Sequence, residues 1–174
     1  MATRQQTSFI LTVTLGLIFA LNCGGGKTHP SDSVLEMNFL KHEADFQRLV
    51  SMSNEDRSVV RIAYDFNFLA DDHSWPRTGA GRGLSNDRWD EYRSLFKELD
   101  LKCGLTRLED SDIIALCASA TGMVTSGSDK GYAYSEDELT PTVESLDAIP
   151  ETLKYQRIVY KSIERHWYLY FRAS

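Results

Sequence analysis

Histidine and cysteine are scarce in this chain of 174 residues, four of one and three of the other. Neither recurs at metal-ligand spacing: there is no His-x-x-x-His and no Cys-x-x-Cys, so no zinc motif can be assembled. Positive charge is also short, with 19 Lys and Arg against 25 Asp and Glu and a formal net charge of −6. Nucleic acid wants a clustered basic face, and an acidic chain offers neither that nor a general attraction to anionic lipid. Gly-x-Gly-x-x-Gly and the Walker pattern are missing, which removes the usual phosphate-cradling motifs. No internal repeat is present. Apolar runs are short as well: Phe9 to Leu21 ends well before the roughly 20 residues that a membrane-crossing helix needs.

That apolar stretch follows a polar start whose only charge is Arg4, the profile of a signal peptide. Ala20-Leu21-Asn22 meets the Ala-x-Ala cleavage pattern poorly. The end of the run, "LNCGGGKT", instead resembles a bacterial lipoprotein lipobox with Cys23 as the acceptor, and Asn22 stands where Gly, Ala or Ser is usual. The resemblance implies a diacylglyceryl thioether on Cys23, which becomes the mature N-terminus and can also be acylated on its amine. One acyl chain holds a protein only marginally, whereas two anchor it stably. Gly24, in place of the Asp found in some inner-membrane lipoproteins, favours the outer membrane. The expected organisation is residues 1–22 as signal peptide, 23–33 as lipidated cysteine and tether, and 34–174 as a single domain on the periplasmic or extracellular face. A length of about 150 residues suits one domain with one core.

Ser33 to Glu36 has the spacing of a capping box, and Leu35, Phe39, His42, Phe46 and Leu49 continue at helical intervals. Val60 to Phe68 alternates apolar and polar residues, predicting one strand. Ser85 or Asn86 caps a second helix carrying Trp89, Tyr92, Leu95, Phe96 and Leu99. From Leu101 the period changes to two, with strands expected over Gly104 to Leu108, Ile113 to Thr125, Tyr132 to Ser135, Tyr155 to Lys161 and His166 to Arg172. The fold class that follows is α+β: two helices packed in two layers on a mostly antiparallel sheet of about five or six strands. Glu136 to Glu151, acidic and holding Pro141 and Pro150, reads as a surface loop. Trp167, Leu169 and Phe171 should close the core from the last strand. Tyr132, Tyr134, Tyr168 and Tyr170 alternate with the expected core positions and form the candidate contact surface.

With Cys23 assigned to lipid, Cys103 and Cys117 are the candidate disulfide, in a compartment where such a bond persists. A hairpin centred on Asp110 sets residue 103 opposite residue 117, within disulfide reach. Other chemistry is thin. Asp71, Asp72 and His73 are neighbours on one loop, an arrangement that fits a solvated turn better than convergence on an ion. Thr78 to Gly83, with Arg82, reads as a flexible loop before a helix, and an anion site is the alternative. Ser126, Ser128 and Lys130 invite a serine–lysine reading, but the segment has no Ser-x-x-Lys, and its Ser, Gly and Asp suit a hairpin turn. His42 and His166 read as structural, and no nucleophile, base and orienter come together. No catalytic residue, metal ligand or cofactor is assigned.

The stretches "RWDEYRSLFKELDL", "SDKGYAYS" and "HWYLYF" resemble those of small uncharacterised bacterial envelope proteins, a likeness that covers most of the domain after Val59 and carries no known activity. In the same residues Trp89 and Trp167 read as core anchors and Gly131 as a turn position. The expected function is a lipid-anchored envelope protein that binds another envelope protein or a small ligand without catalysis. The alternatives are an envelope hydrolase with a site near His73 or the Ser126 to Lys130 loop, or a structural and assembly role.

Overall fold

A computed structural model describes residues 29–70, 83–108, 112–123, 126–150 and 157–173. Residues 1–28, where the signal peptide and Cys23 are expected, Asp71 to Arg82 with His73, and residues 109–111, 124–125 and 151–156 lie outside the described residues. The elements in chain order are α1 (Asp32–Glu55), β1 (Val59–Ile62), β2 (Asn67–Leu69), α2 (Asn86–Glu98), β3 (Gly104–Arg107), β4 (Ile114–Met123), β5 (Ser126–Tyr134), β6 (Ile158–Glu164) and β7 (Trp167–Ala173). The strands form one sheet in the order β2-β1-β3-β4-β5-β7-β6, with antiparallel neighbours throughout. The α+β class stands, with more strands than expected.

The extra strand comes from Val60 to Phe68, which is a hairpin rather than one strand. Ala63 N donates to Phe66 O at 2.9 Å and turns the chain, so that Ile62 faces Asn67. Both arms keep a period of two, and alternation alone does not mark the reversal. The start of α1 also differs. Ser31, not Ser33, is the N-cap and accepts a bond from Val34 N. Glu36 is therefore free of a capping role, and it pairs with Lys161 at 2.6 Å. His42 interrupts α1 with φ −125° and ψ 24°, a kink in the helix.

Both helices cover one face of the sheet. Phe39, Phe46, Tyr132 and Trp167 pack ring against ring there, with Phe46 and Tyr132 centroids 4.5 Å apart. Trp89 is buried as expected and donates Nε1 to Ala63 O at 2.8 Å, tying α2 to the β1–β2 turn. Arg88, on α2, joins the helices through Glu55, at 2.6 Å, and Asp56, at 2.8 Å, at the end of α1. The segment after β5 is more ordered in role than a surface loop: Val143 N donates to Tyr160 O and Tyr160 N to Pro141 O. It thereby shields the outer edge of β6, where bare strand groups would otherwise invite another chain.

The expected turn at Ser126 to Lys130 is the first half of β5, a central strand paired with β4 and β7. Gly131 is thus in mid-strand, opposite Cys117 beside a bulge in β4. A Cβ at this position would collide with Leu116 O and lie 2.8 Å from Ala118 N, so the residue is needed for close backbone approach, not for a turn. Gly131→Ala must part β4 from β5. A loss of about 3 kcal/mol or more is expected, at the upper end of overpacking costs, and urea unfolding of the variant measures it.

Candidate functional site

The sheet's second face has its own chemistry. In β5 the even-numbered residues point at the helices, whereas in β7 the even-numbered residues point away, because Tyr132 pairs with Leu169 and Gly131 with Tyr170. The four tyrosines of the expected contact surface therefore divide between two faces. They are also covered: Tyr132 is 0 %, Tyr170 1 % and Tyr168 9 % exposed, and Tyr134 is half-buried. An exposed tyrosine patch is thus overturned for three of the four. Alternation in a strand marks one buried face, but Tyr160, Tyr168, Tyr170, Ala115, Ala133 and Leu139 build a second, smaller core on the side away from the helices. Tyr132 is a core residue with polar work: its hydroxyl donates to Leu35 O and accepts from Asn38 Nδ2, both at 3.1 Å. Burial pushes that phenol up to about 12.

Beyond Tyr170, along the same face, side chains shrink to Ala120, Gly122 and Gly127 and leave a cleft of about 280 Å³. Its polar wall is organised around Asp129. Tyr170 Oη donates to Asp129 Oδ2 at 2.7 Å, and Arg172 grips both carboxylate oxygens, Nε to Oδ1 at 2.8 Å and Nη2 to Oδ2 at 2.9 Å. Such a two-pronged bond fixes the guanidinium plane as well as its position. Burial and the Asp129 charge hold the Tyr170 phenol well above its ordinary range, so it stays a neutral donor. Burial works against the charge on Arg172, but Asp129 more than offsets it and the guanidinium stays cationic. Arg61 lies across the cleft with its guanidinium 5.3 Å from the Phe66 ring centre. Arg61 and Arg172 bring two guanidinium groups to this cleft, with the Arg172 charge met by Asp129.

The Cys103–Cys117 disulfide is present, with Cα atoms 5.2 Å apart, and it lines the same cleft. The register differs from the expected one by a single position: Gly104 faces Cys117, and Cys103 reaches it from just before β3, donating its N–H to Cys117 O at 3.3 Å.

On the helix face, residues assigned to the tether are part of the domain. His29 bridges β4 and β5, with Nδ1 2.7 Å from Ser119 Oγ and Nε2 2.8 Å from Ser128 Oγ, and its ring meets Phe171 edge-on. Burial, then the Lys130 charge, lower its pKa, so the ring is neutral at neutral pH. A neutral imidazole against a serine hydroxyl is the geometry of a base and nucleophile. The third member here is Ser119, an uncharged group, while Asp129 is turned to the opposite face. The arrangement lacks the carboxylate that would stabilise an imidazolium.

Next to it, Lys130 is only 2 % exposed and sits between Asp32 Oδ1 at 2.7 Å and Asp147 Oδ1 at 2.6 Å. Asp32 Oδ2 accepts from Leu146 N at 2.8 Å and Ser145 Oγ at 3.0 Å, and Asp147 Oδ2 accepts from Asp32 N at 2.9 Å. This lysine is therefore a clasp on the chain entering the domain, not a catalytic partner for Ser128. Ser126 to Lys130 do not form a loop site, and His73 lies outside the described residues. No group of three His, Cys, Asp or Glu among the described residues could hold a metal. Compared with known proteins, the chain matches no family model, no curated protein and no solved structure.

Proposed function

We propose that this chain is a lipid-anchored envelope protein, attached through Cys23, whose domain binds a small anionic ligand in the Arg61–Arg172 cleft and performs no chemistry on it. The observation that carries the reading is the cleft itself. One sheet face is spent on the helices, and the other leaves a concave floor of small residues walled by two arginines, an aspartate and a neutral tyrosine. Convergent polar groups on a small concave surface are what a small-molecule site requires. A carboxylate or phosphate group would take the arginines, and Asp129 would orient a hydroxyl or amine beside it. The disulfide supports an oxidising compartment, and the lipobox likeness supports the anchor.

A panel of acetate, citrate, galacturonate and inorganic phosphate, titrated into the purified protein while unfolding is followed by heat, tests this. At least one member is expected to raise Tm saturably, since a ligand bound only to the native state stabilises it. Arg61→Gln and Arg172→Gln should each weaken that response about tenfold or more. No saturable shift with any member would remove the anion-binding reading. The His29–Ser128 pair carries a second reading, a serine hydrolase. Covalent capture of Ser128 by a fluorophosphonate probe, abolished in His29→Ala, would replace the binding proposal with it.

A further inference from the structure

Helix α1 carries two apolar stripes where a packed surface helix needs one. Leu35, Phe39 and Phe46 face the core. On the other side Val34 is 50 %, Met37 64 % and Leu40 71 % exposed, and at intervals of three they form a line along the first turns. Tyr64 is the other exposed large apolar residue among the described residues. Apolar side chains this open cost solubility unless something covers them.

Their place in the chain says what covers them. His29 is pinned to Ser119 and Ser128, and Asp32 to Lys130, so the chain is fixed to the domain at residue 29. From Cys23 to His29 the chain can span at most about 22 Å, whatever its conformation. If Cys23 is acylated, as in the function proposed above, the first turns of α1 are held within that distance of the lipid headgroups. No described helix is long and apolar enough to cross a membrane, so contact must be lateral. We infer that Val34, Met37 and Leu40 rest in the interface of the bilayer that holds the acyl chains, laying α1 along its surface. Exposed Glu43 and Lys41 flank the stripe with opposite charges, so the surface suits zwitterionic phospholipid rather than an anionic one.

The test uses the full lipidated protein in phosphatidylcholine vesicles, labelled with an environment-sensitive nitrobenzoxadiazole dye through Leu40→Cys or, as a control, through Lys97→Cys on the exposed face of α2. Nitroxide-bearing lipids should quench the dye at position 40 at least twofold more than at 97, and exchanging a third of the phosphatidylcholine for phosphatidylserine should not increase the difference. Equal quenching at the two positions overturns the inference, as does a 40-to-40 crosslink showing that a second copy covers the stripe. Mass spectrometry of the N-terminal peptide separates this from the anchor: an unmodified Cys23 refutes the anchoring, whereas acylated Cys23 with equal quenching refutes only the stripe.

Discussion

Lys130→Met should cost about 3 kcal/mol of stability, the lower end of the penalty for leaving a buried carboxylate without its main cation. The side chain lies between Asp32 and Asp147; Asp147 is half-exposed and can turn to water, but Asp32 is buried and keeps only the longer contact with Lys161, at 3.4 Å. Urea unfolding at pH 7 gives the number, and Lys130→Met combined with Asp32→Asn should recover part of it by removing a stranded charge. A loss under about 1 kcal/mol would mean the clasp is merely a surface ion pair. The pH dependence has a definite sign. Burial alone would raise the Asp32 pKa, but the Lys130 hydrogen bond, with help from Leu146 N–H, brings it below the ordinary 3.8. A carboxylate lowered on folding contributes stability above its unfolded value and loses that contribution as pH falls through the folded one. Acid should therefore weaken the native protein below pH 3.8, and the gap between it and Lys130→Met should narrow there.

The second large effect is expected at Cys103–Cys117. The bond closes a loop with a sequence separation of 14. In the chain-entropy account, a loop of this size is worth about 3 kcal/mol, through the states it denies the unfolded chain. The double change Cys103→Ser and Cys117→Ser should lower stability by that amount. Because both cysteines line the cleft, it should also weaken any anion bound between Arg61 and Arg172. Labelling of denatured, unreduced protein should find neither thiol reactive. Two reactive thiols at these positions would exclude the bond.

Local patterns announced most of the architecture. The apolar spacing in α1 and α2 is that of helices packing one side, and both formed, with Ser85 capping α2 as its position suggested. The disulfide was legible despite a one-residue error in register, since cysteines across a hairpin reach each other from adjacent positions as well as opposed ones. What stayed hidden depends on partners far along the chain. Ser-Gly-Ser-Asp-Lys-Gly has turn composition, and only pairing on both sides, with β4 and β7, makes it strand. Asp32 and Lys130 are 98 positions apart in numbering, one in an apparent tether and one in an apparent turn, so nothing local marks them as a pair. The cleft was equally hidden. Asp129 and Arg172 are joined by a register between β5 and β7 that neither segment states by itself. Hence the tyrosines were assigned to the outside when the second face was already filled.

The strand order also sets when this protein can fold. β7 follows β6 in the chain, yet it lies between β5 and β6, supplies Trp167 and Leu169 to the core and carries Arg172 of the cleft. A growing chain that stops before Ile158 therefore lacks Trp167 and Leu169 of the core and has an open β5 edge. The native state is reached only once β7 has been made and can insert between β5 and β6.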